Sequence, residues 1–201
     1  MNPQSLQKFK TLEVRWFIEG ETPSQIIDWF QNCCPGEPVS SSEKRTDYYF
    51  CLPGGIGVNL KLRQGNLELK YQEKPLGIRQ FGEIFGMGSN RITWQGNLER
   101  WLKWSHRDVP GFCDITQLHC IPVQKTRSQR VYQNVYCELT QLEVKDQSHW
   151  TIGFEMSVNG EKSEDNFEQA INWIAQTNPN FSLSSLQSRS YAEWLNYRFF
   201  S

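Results

Sequence analysis

Residues 57–72 read Gly-Val-Asn-Leu-Lys-Leu-Arg-Gln-Gly-Asn-Leu-Glu-Leu-Lys-Tyr-Gln. Side chains of a strand alternate between its two faces. Val58, Leu60 and Leu62 therefore share one face, and Asn59, Lys61 and Arg63 the other. After a turn at Gln64-Gly65-Asn66 the pattern resumes, with Leu67, Leu69 and Tyr71 opposed to Glu68, Lys70 and Gln72. A turn signal between two alternating runs predicts an antiparallel hairpin with one apolar and one charged face. RTDYYFCL (45–52) and the turn Pro53-Gly54-Gly55 extend it upstream to a three-strand meander.

Working outward, TLEVRWFI (11–18) alternates in part, placing Leu12, Val14 and Trp16 opposite Glu13, Arg15 and Phe17, and reads as a strand. Thr22-Pro23-Ser24 is a helix start, SQIIDWFQNC (24–33) puts Ile26, Ile27, Trp29 and Phe30 on one stripe, and Pro35, Gly36 and Pro38 end it. LGIRQFGEIF (76–85) and SNRITWQ (89–95) read as two further strands separated by Gly86 and Gly88. NLERWLKWSH (97–106) reads as a short helix with Leu98, Trp101, Leu102 and Ser105 on its inner face. Residues 114–132 read as two strand pieces around Pro122. NVYCELTQLEVKD (134–146) and SHWTIGFEMSV (148–158) form a hairpin through Asp146-Gln147-Ser148. EDNFEQAINWIAQ (164–176) and SRSYAEWLNYRFF (188–200) are helices, the second either docking on the sheet or making a homodimer contact. The sum is an α+β fold: an antiparallel β-barrel or tunnel of about eight strands with flanking helices, one domain over residues 1–201.

The chain has 201 residues, of which 13% are aromatic, enough for a substantial core. Twenty-one Lys and Arg against 22 Asp and Glu leave a formal net charge of −1. No global field then draws nucleic acid or an acidic membrane, and any anion site must come from local placement of charge. No apolar run approaches the roughly 20 residues of a bilayer span. Residues 1–10 lack the apolar stretch of a signal peptide, so a cytoplasmic protein is expected. The six cysteines show neither a secreted framework nor a zinc spacing, and Cys33-Cys34 reads as packing. The three histidines form no ligand pair.

Charged parity recurs elsewhere: Lys125 and Arg127 share a face, as do Glu13 and Arg15. Either these faces are simply wet, or they converge in a lumen while helices cover the apolar faces. A lumen carrying Lys61, Arg63, Lys70, Arg79, Lys125 and Arg127 is self-repelling unless an anion sits among them. A polyphosphate suits it. Carboxylates at one end would hold a divalent ion together with phosphate oxygens.

In this order the residues resemble the CYTH, or triphosphate tunnel metalloenzyme, superfamily. Thr11-Leu12-Glu13-Val14-Arg15 is similar to its opening ExExK strand, with Thr in the first acidic position and Arg for Lys. Asp47-Tyr48-Tyr49, NLKLR with Lys61 and Arg63, LELK with Lys70, and IRQFGE with Arg79 and Glu83 resemble its successive strands. So do VQKTRSQRVY with Lys125, Arg127 and nearby Arg130, and YCELTQLEV with Glu138 and Glu143. WTIGFEMSV resembles the closing ExE strand, with Glu155 kept and Ser157 in the second place. The likeness is strongest over residues 11–175. It implies a triphosphate-bearing small molecule as ligand, contacted by the six basic residues. It also implies Mg²⁺ or Mn²⁺ at Glu13, Glu155 and Glu138, and metal-dependent hydrolysis of an organic or inorganic triphosphate. Thr11 and Ser157 remove one member of each carboxylate pair. The alternative is therefore a non-catalytic module that binds an anionic ligand or a protein through the same face.

Overall fold

The computed structural model describes residues 7–39, 41–50, 57–82, 93–106, 120–178 and 180–199. Nine strands, three α-helices and one 3₁₀ turn occur among them: β1 (Gln7–Glu19), α1 (Ser24–Asn32), β2 (Glu37–Pro38), β3 (Glu43–Phe50), β4 (Val58–Arg63), β5 (Asn66–Phe81), β6 (Trp94–His106), β7 (Cys120–Tyr132), β8 (Val135–Val144), β9 (Gln147–Ser157), α2 (Ser163–Gln176), the turn Ser185–Gln187 and α3 (Tyr191–Phe199). The strands run β7-β3-β4-β5-β6-β1-β9-β8, and β8 pairs back onto β7, closing an eight-strand barrel in which every pairing is antiparallel; β2 adds two residues to β7. This is the α+β barrel expected from the alternation.

Three hairpins turn on two residues with positive φ: Gln64-Gly65, Gln133-Asn134 and Lys145-Asp146. That conformation matches the twist of the flanking strands. The β8–β9 turn thus lies one residue earlier than expected, because Gln147 already pairs with Val144.

The barrel is inside out relative to a simple core. Leu12, Val14 and Trp16 of β1, Val135, Cys137 and Leu139 of β8, and Ile152, Phe154 and Met156 of β9 face outward and bury against Ile26, Trp29 and Phe30 of α1 and Phe167, Ala170, Ile171 and Ile174 of α2. Trp16 is the hub: its ring meets Phe81, Trp94 and Phe154, and its Nε1 donates to the Gln95 carbonyl at 2.7 Å. With the apolar face of these strands turned to the helices, the register sends their polar face into the lumen.

Three expectations are corrected. Residues 97–106 are strand, the second half of β6, paired with β1 on one side and β5 on the other. Leu98 is buried under the helices, whereas Trp101 is buried on the opposite face. Apolar residues three apart on a strand buried on both faces imitate a helical stripe. Residues 66–81 form one bulged strand rather than two, with register shifts between Gln72 and Lys74 and between Pro75 and Gly77. A bulge is where a sheet accommodates Pro. Likewise β7 runs unbroken through Pro122, opposite Tyr48. The turn 53–55, the glycines at 82–88 other than Gly82, most of the strand expected over 89–95, Glu83, Cys113 and His119 lie outside the described residues. Among those described, no helix is long and apolar enough to cross a membrane.

Candidate functional site

Five of the six basic residues picked out in the sequence share one cavity. Lys61 and Arg63 of β4, Lys70 of β5, and Lys125 and Arg127 of β7 line a space of about 230 Å³, together with Glu13, Glu138 and Glu155. The sixth, Arg79, does not. It pairs with Gly96 on the outward face, donating from Nε to Glu168 of α2 at 2.8 Å and from Nη1 to the Leu76 carbonyl at 2.8 Å. Arg130 is also outside, donating to the carbonyls of Gln31 and Gly36 behind α1.

Asp47 anchors one wall. Its side chain is 0% exposed, and it accepts from Arg63 Nε and Nη2 at 3.1 Å each, with Arg45 Nε and Lys125 Nζ at 3.0 Å and Lys61 Nζ at 3.9 Å. Burial alone would raise its carboxyl, but Lys125, Lys61 and Arg63 outweigh that and hold it far below the usual carboxylate range. Glu68 lies beside it, 3.3 Å from Lys61, 3.4 Å from Arg63 and 3.6 Å from Lys103 of β6. Two lysines are nevertheless held away from their ordinary state. Burial, reinforced by Arg63, brings Lys61 down to about 7 against the pull of Glu68 and Asp47. Burial, then Lys61 and Arg63, brings Lys125 well down despite Asp47.

From the β3 end of this wall an arginine ladder runs across β7 and β8 to β1. Arg15 Nη1 donates to Glu138 at 2.8 Å, Arg127 Nη1 donates to the other Glu138 oxygen at 3.3 Å, and Arg127 Nη2 donates to Glu43 at 2.6 Å. Burial would raise Glu138, yet Arg15, Arg127 and Lys125 keep it ionised. The guanidinium of Arg15 lies over Gly153, where an added Cβ would come within 2.5 Å of its Cζ. Gly153→Ala should therefore displace Arg15 and break its pair with Glu138. The expected outcome is destabilisation of roughly 1–3 kcal/mol, read from the thermal unfolding midpoint.

Glu13 and Glu155 stand directly opposite each other across β1 and β9, and so do Thr11 and Ser157. Lys70 Nζ bridges the two carboxylates, hydrogen-bonded to Glu13 Oε1 and 3.3 Å from Glu155 Oε2; Thr11 Oγ1 donates to Glu13 Oε1 at 2.9 Å. Burial would lower Lys70, but these two glutamates raise it, so it stays charged. On the far side of Glu13, Glu99 accepts from Gln72 Nε2 at 2.8 Å and Trp101 Nε1 at 3.1 Å. Burial, partly opposed by Trp101 and supported by Glu13, lifts Glu99 to about 8. It holds a proton far more readily than a free carboxyl.

These residues do not fit the divalent ion that the resemblance implies. Mg²⁺ wants six oxygens in near-octahedral array. Glu13 and Glu155 already hold an ammonium between them, and Glu138 belongs to Arg15 and Arg127. Among the described residues no group of three or more His, Cys, Asp or Glu is arranged to hold a metal.

The lumen is not charged throughout. Beyond Asp47 and Lys125 the same inward face turns apolar: Phe17, Tyr49, Ile121, Val123, Leu142 and Val144 fill that end, and Tyr191, Trp194 and Leu195 of α3 pack across it. Trp194 stacks on Phe17 at 4.4 Å and Tyr191 on Tyr49 at 5.2 Å. Lys125 Nζ donates to Tyr49 Oη at 2.7 Å and sits 3.8 Å above the Tyr191 ring. Of the two roles foreseen for the C-terminal helix, the apolar face of α3 serves docking on its own barrel. Exposure rises toward the other end, where Tyr136 is 43% exposed and Glu155 35%. The charged cavity therefore has an apolar floor and a wet mouth.

Arg45, Lys103 and Tyr191 also line the cavity without having been picked out. Arg45 shares its parity with Asp47, which was a readable signal. Lys103 was hidden by the helical reading of β6, and Tyr191 comes from a separate element that no strand parity predicts.

No family model and no curated protein matches the chain. Solved structures similar to it include a conserved hypothetical protein from Pyrococcus furiosus, at 16% identity and TM-score 0.47 over 90% of this chain and 98% of that one. A protein from Pyrococcus horikoshii OT3 aligns at 16% identity and TM-score 0.46 over the same shares. A structure described as "a putative adenylate cyclase" from Bacillus halodurans aligns at 12% identity and TM-score 0.43 over 96% of this chain and 99% of that one. At these identities and scores the likenesses carry no weight for function.

Proposed function

We propose that this protein binds a triphosphate or short polyphosphate group, free or carried by a small molecule, in the charged cavity of its barrel. One observation carries the reading. Eight basic side chains line the wall, namely Arg15, Arg45, Lys61, Arg63, Lys70, Lys103, Lys125 and Arg127. Six carboxylates stand with them: Glu13, Glu138 and Glu155 in the wall, and Glu43, Asp47 and Glu68 paired behind it. Fully ionised, these groups leave a positive excess, and the charging of Lys61 and Lys125 is opposed, by burial first and by neighbouring cations second. An anion with charge spread over several oxygens would relieve that excess. The apolar floor accommodates no charge, so the phosphate chain enters end-first from the mouth and its length is limited.

Between the two functions that the resemblance leaves open, the anion-binding module is favoured over the metal-dependent hydrolase. All three glutamates that would hold the metal are engaged by cations of the protein itself. In a thermal-shift experiment inorganic triphosphate at millimolar concentration should raise the unfolding midpoint, because it binds only the folded chain. The rise should shrink between 50 mM and 500 mM salt. An unchanged midpoint at low salt would remove the proposal.

A further inference from the structure

We propose that Lys70 is a built-in counter-ion occupying the place of a divalent metal, so that the cavity takes its polyanion metal-free. This rests on the reading of the cavity as a polyphosphate site and adds the form in which the ligand is bound.

Glu13 and Glu155 face each other on adjacent strands of the barrel. Like charges in directly opposed positions repel. A cation must lie between them. Lys70 reaches in from β5 and contacts both, and its register partner Lys103 adds a second positive charge on that side. The Glu13 oxygen that accepts from Lys70 also accepts from Thr11, so its lone pairs are in use. One step along the strands, where another pair of carboxylates could have widened the site, Thr11 faces Ser157. Glu13 and Glu155 each give an oxygen to the ammonium, and Glu99 beside Glu13 is taken by Gln72 and Trp101. The remaining pair is two hydroxyl-bearing residues, which makes a poor shell for Mg²⁺. For an ammonium the two glutamates make a good one. Its three donors serve Glu13 and Glu155 and leave one for a phosphate oxygen in the cavity that Lys70 lines. Mg²⁺ in solution would then hinder binding, by chelating the polyanion and cancelling the charge the cavity recognises.

Two titrations on the full chain test this. In the first, Mn²⁺ alone is titrated into the native protein, Lys70→Met and the double variant Lys70→Met/Glu155→Gln, followed by electron paramagnetic resonance of the free ion. Native protein should take up no Mn²⁺ at concentrations that load Lys70→Met, which should bind it at least tenfold more tightly, and the double variant should lose that gain. Stoichiometric Mn²⁺ binding by native protein, or no gain in a folded Lys70→Met, would overturn the proposal. In the second, native protein is titrated with inorganic triphosphate in chelator and again in excess Mg²⁺, and the affinity should be higher in chelator. Binding seen only with Mg²⁺ overturns the metal-free account and leaves the anion site standing. Binding in neither condition would fall on the function proposed above, and the Mn²⁺ result on native protein would still decide the role of Lys70.

Discussion

Asp47→Asn should lower the stability of the free protein by about 3–5 kcal/mol, the usual cost of removing one partner from a buried ion pair. For a chain of this length that is a fall of roughly 10 °C in unfolding midpoint. The Asp47 side chain is fully buried and in contact with Arg45, Arg63, Lys61 and Lys125. The amide keeps the shape and loses the charge, leaving four cations with Glu68 and Glu43 alone. Inorganic triphosphate should restore more stability to Asp47→Asn than to native protein, because the ligand then replaces a missing counter-charge. A fall below 1 kcal/mol, or an equal gain from ligand in both proteins, would contradict the view of Asp47 as the balancing charge of this wall.

Binding should also be linked to protons. Without ligand Lys61 titrates at about 7, lowered by burial and Arg63, and Lys125 is also brought well down, by burial first. In the unfolded chain both would titrate near the ordinary lysine value of about 10.4. Above pH 7 the unfolded state therefore holds more protons than the folded one, and stability of the free protein should rise with pH toward that ordinary value. A bound anion favours the charged lysines, so binding takes up protons and affinity should fall across the same window, by up to about tenfold per pH unit for each proton gained. Comparing native protein with Lys61→Met cancels the ionisation of the ligand itself. The native protein should take up more protons, measured from binding heats in buffers of different ionisation enthalpy. Equal proton counts would show that Lys61 is not relieved by the ligand.

How far the sequence foretold the site follows from the geometry of individual strands. β4 and the start of β5 are regular and joined by a tight turn, so the parity of Lys61, Arg63 and Lys70 was legible and the register carried them to one face. The same holds for Lys125 and Arg127 on β7. Arg79 lies an odd number of residues after Lys70 on the same strand, and the two bulges between them cancel in parity, so it emerges on the outward face under α2; reading 76–85 as a separate strand hid that relation. In β6 burial on both faces imitated a helix and concealed Lys103. Nor could alternation tell that one inward face changes character along its length. Arg15 and Phe17 share a parity, but one lies in the charged cavity and the other in its floor. That difference is made by α3, which is distant in sequence and brings Trp194 onto Phe17.

The central claim is that the charged lumen is where the polyanion binds, and calorimetric titration with inorganic triphosphate at pH 7, low salt and in chelator tests it most directly. Native protein should bind one equivalent. Arg127→Ala, in the cavity wall, should weaken binding ten- to hundredfold, as expected for loss of a charged hydrogen bond worth about 1.5–3 kcal/mol. Arg79→Ala, which alters an arginine outside the cavity, should bind as native protein does. No saturable binding, or equal losses in the two variants, would contradict the account.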